Sequence, residues 1–210
     1  MHHIHVVKSF LEINWKLFFD ILVSTITSVA LLIGAVVAVI GLNTWKKQLK
    51  GNADYELARR VLRSTYKLRD AIKYVRNPFI SVEEQASAAK EVGSEKVGGS
   101  QAIFDVYSVR WQKINTATSD LEAEGIEAEV LWGKPAVEVQ KDFWDCVRKL
   151  YINLNYHLKA RKDPEIYGRL ARDSRDIIYA TDPANENDSF SLEIKAAVSK
   201  IEEFLKPHLK

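Results

Sequence analysis

ILVSTITSVALLIGAVVAVIGL, residues 21–42, contains no charged side chain. As a helix it would rise roughly 33 Å, against a hydrocarbon core of about 30 Å. In lipid, a lone segment can satisfy its backbone N–H and C=O groups internally only as a helix. A cleaved secretory leader is the competing reading. Its apolar core runs about 7–15 residues and precedes a small-residue cleavage site. Here the run is longer, starts late and leads directly into Trp45, Lys46 and Lys47. The stretch reads as a retained transmembrane helix.

Working outward, the flanking charge sets the orientation. Lys46, Lys47, Lys50, Arg59, Arg60 and Arg63 follow the span, and only Lys8 and Lys16 precede it. Lys and Arg near the ends of a span mark the cytoplasmic side. This predicts a short N-terminus outside and a cytoplasmic C-terminal part. The formal net charge of +2 hides a polarised layout. Residues 43–82 carry ten Lys/Arg and three acids, whereas residues 83–145 carry six bases and thirteen acids.

Residues 1–20 form the first predicted region. Lys8, Glu12, Lys16 and Asp20 recur every four residues, so opposite charges can pair down one helix edge. Two readings stay open: an amphipathic helix lying in the outer interface, or a continuation of the span as one helix of roughly 58 Å. A second span is disfavoured, because four charges would enter lipid at about 2.5–3.5 kcal/mol each. His2, His3 and His5 are too few and too terminal to indicate a metal site.

Within the span, Ser24, Thr27, Ala30, Gly34, Ala38 and Gly41 form a seam of small residues. Small side chains let helix backbones approach closely in lipid. The seam therefore predicts association between copies of this chain. A sharper version is a pore lined by Asp20, Ser24, Thr27 and Ser28. The run 43–51 reads as a basic juxtamembrane linker, with Lys46, Lys47 and Lys50 at the level of anionic head groups. Arg59, Arg60, Arg63 and Lys67 extend the candidate lipid or phosphate contact, with Lys73 and Arg76 beyond. The competing assignment is a solvated face whose bases pair with the acidic segment 122–129. A nucleic-acid partner ranks below both, since no nucleic-acid fold signature accompanies the charge.

Residues 52–210 read as a helical bundle. Asn52 or Asp54 can cap a first helix with Ala58, Val61, Leu62, Thr65, Leu68, Ile72 and Val75 on one face. Pro78 ends it. A short helix over 81–91 follows a Ser81/Glu84 capping-box spacing. Gly93 to Ser100 reads as a loop. Further helices are predicted over 101–124, 136–162 and 164–180, and from a Ser189 or Ser191 cap to Leu205, with TDPANENDS (residues 181–189) as a loop. The fold class is thus all-α: an amphipathic N-terminal segment and one transmembrane helix, followed by a cytoplasmic antiparallel helical bundle.

No enzyme motif accompanies this layout. The single cysteine, Cys146, excludes an internal disulfide and a Cys-based zinc site, and it lies on an apolar stripe. Asp142 and Asp145 lack the Glu-x-x-His partners of a di-iron bundle. GSEKVGGS lacks the Gly-Lys-Ser/Thr ending of a phosphate loop. In helical ribonucleases of the HEPN type, four to six residues separate an Arg from a His. Here eight residues separate Arg148 from His157. No cofactor is expected, and the partners implied are the lipid bilayer, further copies of the chain and a cytosolic protein.

Four short stretches carry a resemblance: Trp45-Lys46-Lys47-Gln48, Tyr55-Glu56-Leu57-Ala58-Arg59-Arg60, Tyr66-Lys67-Leu68-Arg69-Asp70 and Arg76-Asn77-Pro78-Phe79. Over about residues 20–80 the chain resembles a loose group of uncharacterised bacterial single-pass membrane proteins with helical cytoplasmic domains. Some proteins of that layout, retron-associated ones among them, act as membrane effectors of anti-phage or toxin systems. The resemblance implies membrane disruption after activation by a cytosolic sensor; joined to the seam and the missing enzyme motifs, it gives the expectation of a non-enzymatic protein that self-associates and binds a cytosolic partner. The alternatives are a passive membrane-tethered scaffold or sensor subunit, and a helical enzyme with an unrecognised site.

Overall fold

A computed structural model describes residues 2–94, 98–180 and 188–209, with side chains from Trp15 onward. Lys96 in the expected 93–100 loop, most of the 181–189 loop, and the side chains of His2, His3, His5, Lys8 and Glu12 lie outside the described residues. Every regular element among the described residues is helical. The chain divides into two units, Met1–Asn52 and Ala53–Lys210.

Helix α1 runs His2–Val75. It passes through 43–51 without a break, so the basic juxtamembrane stretch is helical. No cap forms at Asn52 or Asp54, because the preceding backbone already supplies the helical carbonyls. Within the first unit, all residues from 15 to 52 are exposed.

In the second unit, α2 (Val82–Val92) starts on Ser81, whose hydroxyl accepts from the Glu84 N–H at 3.1 Å. Only that half of the capping box forms, since the Glu84 carboxylate is taken by Arg110. Gly93 ends the helix in the left-handed region at φ 71°, where a Cβ would be strained. Helix α3 (Gly99–Trp132) runs eight residues past the expected end at 124. Its acidic stretch stays helical because Arg60 of α1 pairs with Glu124 and Glu127 one turn apart. The Gly133-Lys134-Pro135 turn follows, with Gly133 at φ 76°.

The helix expected over 136–162 is two pieces, α4 (Pro135–Glu138) and α5 (Lys141–Ala160). Between them Gln140 is buried and donates to the Ala136 carbonyl at 2.9 Å. The next expected helix is also split, into α6 (Pro164–Asp173, capped by Asp163) and α7 (Arg175–Ile178), around buried Ser174. Helix α8 (Ser189–Leu205) is capped by Asp188 rather than by Ser189 or Ser191. The Asp188 carboxylate accepts from the Ser191 N–H at 2.9 Å. A short 3-10 turn, Lys206–Leu209, closes the described chain.

Four long segments meet around one core. Leu57, Leu68 and Ile72 of α1, Ile114 and Leu121 of α3, Phe143 and Leu150 of α5, and Phe190, Ile201 and Leu205 of α8 are all nearly inaccessible. Cross-helix pairs give the directions. Asp54, Arg60 and Lys67 of α1 meet Trp132, Glu124 and Asp120 of α3, so one number rises as the other falls. The same holds for Asp54, Tyr66 and Arg76 against His208, Glu202 and Ser191. Asp142 and Lys149 of α5 meet Lys200 and Glu193 of α8. Trp111 and Gly125 of α3 meet Tyr151 and Gln140. Each neighbouring pair therefore runs antiparallel. One end of this domain is tied where the Trp132 ring stacks on His208 at 4.2 Å and both bond Asp54.

Candidate membrane segment and basic flank

The 21–42 stretch of α1 keeps its apolar side chains in the open: Leu31, Leu32, Val37 and Ile40 are each at least 60% exposed. A water-soluble helix with this composition would turn one face into a core, and none does so here. Mean hydropathy over its most apolar window is 2.5, with none of that window buried. Trp15, Phe18 and Phe19 form an aromatic cluster at one end, with ring centroids 5.9–6.2 Å apart, and Trp45 stands at the other.

Ser24, Thr27, Ala30, Gly34, Ala38 and Gly41 fall within an arc of roughly 120° of one helix. A Cβ added at Gly34 or Gly41 would meet nothing within 4 Å. Four hydroxyls of this helix, three of them within the 21–42 stretch, are already occupied. Thr25, Thr27, Ser28 and Thr44 donate to the carbonyls four residues earlier, at 2.7, 2.8, 2.8 and 3.0 Å. Back-bonding of this kind removes the penalty for placing a hydroxyl in hydrocarbon without any second helix.

Six of the seven candidate cations separate into two sets, and Arg63 stands apart from both. Lys46, Lys47 and Lys50 are exposed and have no ion-pair partner among the described residues. Farther along, Arg59 pairs with Glu56, Arg60 with Glu124 and Glu127, and Lys67 with Asp120 at 2.9 Å. The acidic segment thus meets the basic helix inside the domain. The hydrogen bonds Arg60 donates to Glu124 and Glu127 raise its guanidinium above the ordinary value. Arg63 is exposed and shares a cleft with Arg60, Lys67, Asp120 and Glu124.

Arg76 is not an outward phosphate contact: its side chain is 2% exposed. It donates to the Ile177, Asp176 and Tyr179 carbonyls at 2.8, 3.0 and 3.2 Å, to Ser191 at 2.6 Å and to Asp188 at 3.0 Å. Its guanidinium also lies over the Phe190 ring at 4.9 Å. Burial alone would raise the Asp188 carboxyl, but hydrogen bonds from Arg76 and Ser191 outweigh it and hold the group low. Arg110 is the second buried guanidinium. It grips both Glu84 oxygens at 2.8 Å and the Asn77 and Phe79 carbonyls at 2.5 and 2.7 Å. The Arg110 hydrogen bond is the main reason Glu84 titrates below its usual range. Both arginines satisfy carbonyls left open where a helix has ended.

Sequence reasoning overlooked these two as buried groups, although a signal was present. Arg76 continues the Leu68–Ile72 spacing, and Arg110 falls between Val106 and Ile114 on the apolar face of α3.

The groups tested for chemistry stand apart from one another. Cys146 is buried, and burial pushes its thiol up to about 11, away from nucleophilic use at neutral pH. His157 has its Nε2 2.9 Å from the Tyr179 hydroxyl. Its pKa is lowered by burial first, then by Arg161 and Arg175. No metal-competent group of three His, Cys, Asp or Glu exists among the described residues. A cleft of about 720 Å³ is lined by residues that include Lys67, Tyr74, Lys113 and Asp120. Lys67 there bonds Asp120, and Lys113 sits 3.9 Å above the Tyr74 ring.

Comparisons with protein-family models, with curated proteins and with solved structures return no match to this chain.

Proposed function

We propose that this is a non-enzymatic, single-pass protein of a bacterial inner membrane, with its N-terminus outside. Its antiparallel four-helix domain lies in the cytoplasm and is offered to a cytosolic protein. The observation that carries the reading is the charge-free stretch 21–42, exposed along its whole length on a continuous helix. Burying a Leu, Ile, Val or Phe side chain gains about 1.5–3 kcal/mol, so leaving the whole stretch in water is untenable. Lipid removes that penalty. Lys46, Lys47 and Lys50 beyond its end support the cytoplasmic orientation.

The seam from Ser24 to Gly41 is the face through which copies associate, by close backbone packing rather than polar attraction. The hydroxyls of Thr27 and Ser28 are bonded to their own backbone, which favours a tether over a pore lined by them.

Full-length protein should resist alkaline carbonate extraction, and protease added outside intact cells should leave the helical domain whole. Recovery in the soluble fraction, or digestion of the domain from outside, ends the reading. Gly34→Leu should shift the detergent-solubilised protein from oligomer to monomer in sedimentation. Unchanged oligomers would remove self-association through this face. Membrane depolarisation on overexpression would favour the effector that the resemblance implies over a passive tether.

A further inference from the structure

Resting on the membrane reading above, we infer that Lys46, Lys47 and Lys50 form a site for the head groups of anionic glycerophospholipids. Arg59, Arg60 and Lys67 lie outside that site. At 3.6 residues per turn the three lysines fall within an arc of roughly 100°. Trp45 and Leu49, 61% and 53% exposed, lie one turn apart on the flank beside Lys46, outside that arc. The turn after the span is therefore amphipathic, with a ring and an aliphatic group on one flank and three ammonium groups on another.

Like charges at i,i+3 and i,i+4 repel and weaken a helix. No acid relieves them, since none of the three has an ion-pair partner among the described residues. In the helical domain, by contrast, Arg59, Arg60 and Lys67 have carboxylates within ion-pair distance. Arg63 shares a cleft in which Asp120 and Glu124 offset most of the charge. Three cations without an acid partner among the described residues thus share one turn directly beyond the apolar run, and they call for anions from outside the chain.

The chemistry is that of a phosphate ester, which either a lipid or a free phosphate presents. Continuity with the apolar run selects the lipid. Lys46 follows Leu42 by about one turn, roughly 6 Å of rise, at the depth where an indole such as Trp45 sits among head groups. Lysine stems extend along such a boundary and deliver their charge to it. Each ammonium beside an anionic surface strengthens association roughly fivefold.

The full chain would be reconstituted into vesicles of phosphatidylcholine containing a minority of phosphatidylglycerol. It would then be excised with its surrounding lipid in a polymer disc, and the retained lipids weighed by mass spectrometry. Phosphatidylglycerol should be enriched around the wild type by roughly fivefold or more. The K46Q/K47Q/K50Q variant should lose the enrichment, and the R59Q/R60Q/K67Q variant should keep it. Enrichment unchanged in the first variant overturns the site. Displacement of phosphatidylglycerol by inorganic phosphate, beyond that caused by chloride at equal ionic strength, overturns the lipid assignment. A chain that fails to float with pure phosphatidylcholine vesicles overturns the membrane reading itself. One that floats without enrichment overturns only the headgroup site.

Discussion

The two halves of α1 obey opposite rules with the same backbone. From residue 15 to 52 the apolar side chains face outward, and the hydroxyls of Thr25, Thr27, Ser28 and Thr44 fold back on their own helix. From Leu57 to Val75 the apolar side chains face inward, the lysines face outward, and the arginine at 76 is sealed inside. A helix accepts either arrangement because its own hydrogen bonds are internal in both. On the proposed membrane reading, what differs is the medium each half meets. Lipid welcomes an apolar surface and forbids free donors, whereas water welcomes charge and expels apolar groups into a core.

The largest effect should come from separating the halves. A fragment of residues 53–210 should leave the membrane fraction completely and give a soluble, helical, cooperatively unfolding protein by circular dichroism. A fragment that still sediments with membranes would show that the domain holds lipid by itself.

Next in size is a comparison of two arginines in that fragment. Arg76→Ala leaves Asp188 buried without its cation and frees three carbonyls, for a loss of about 3–5 kcal/mol in urea unfolding. Arg63→Ala, on an exposed side chain, should change stability by no more than about 0.5 kcal/mol. Equal effects would erase the distinction between inner and outer charge.

A pH series sharpens the same distinction with a smaller signal. His157 titrates below its ordinary value in the folded domain, so the unfolded chain takes up the proton first. The stability it contributes is intact above about pH 6.5 and is lost as pH falls from there through the folded value. Asp188 and Glu84 also titrate low. Their contribution is intact above the ordinary carboxylate range, about pH 4, and is lost as pH falls through their lower folded values. His157→Gln should flatten only the first decline and Asp188→Asn only the second. A decline unmoved by its variant would reassign that step.

Much of the domain was readable from local pattern. The apolar face from Ala58 to Val75, the stop at Pro78, the Ser81 cap and the Gly133 turn all appear where spacing and turn chemistry put them. Each depends on neighbours a few residues apart. The misread boundaries depended on distant groups. Residues 124–132 stay helical against Arg60 and Asp54, and Asp188 becomes a cap because Arg76 fixes its carboxylate. In the candidate site, the cations looked alike in the sequence, and only their partners divide them.

By itself the sequence determined that this chain is helical and that one stretch is apolar enough to cross a bilayer. Both follow from hydropathy and periodicity, which are properties of adjacent residues. Tertiary structure alone decided which charges remain available. Lys67 is answered by an aspartate 53 positions away and Arg76 by one 112 positions away, whereas Lys46, Lys47 and Lys50 have no answering acid among the described residues. Coulomb attraction reads distance in space, and that distance exists only once the helices have packed.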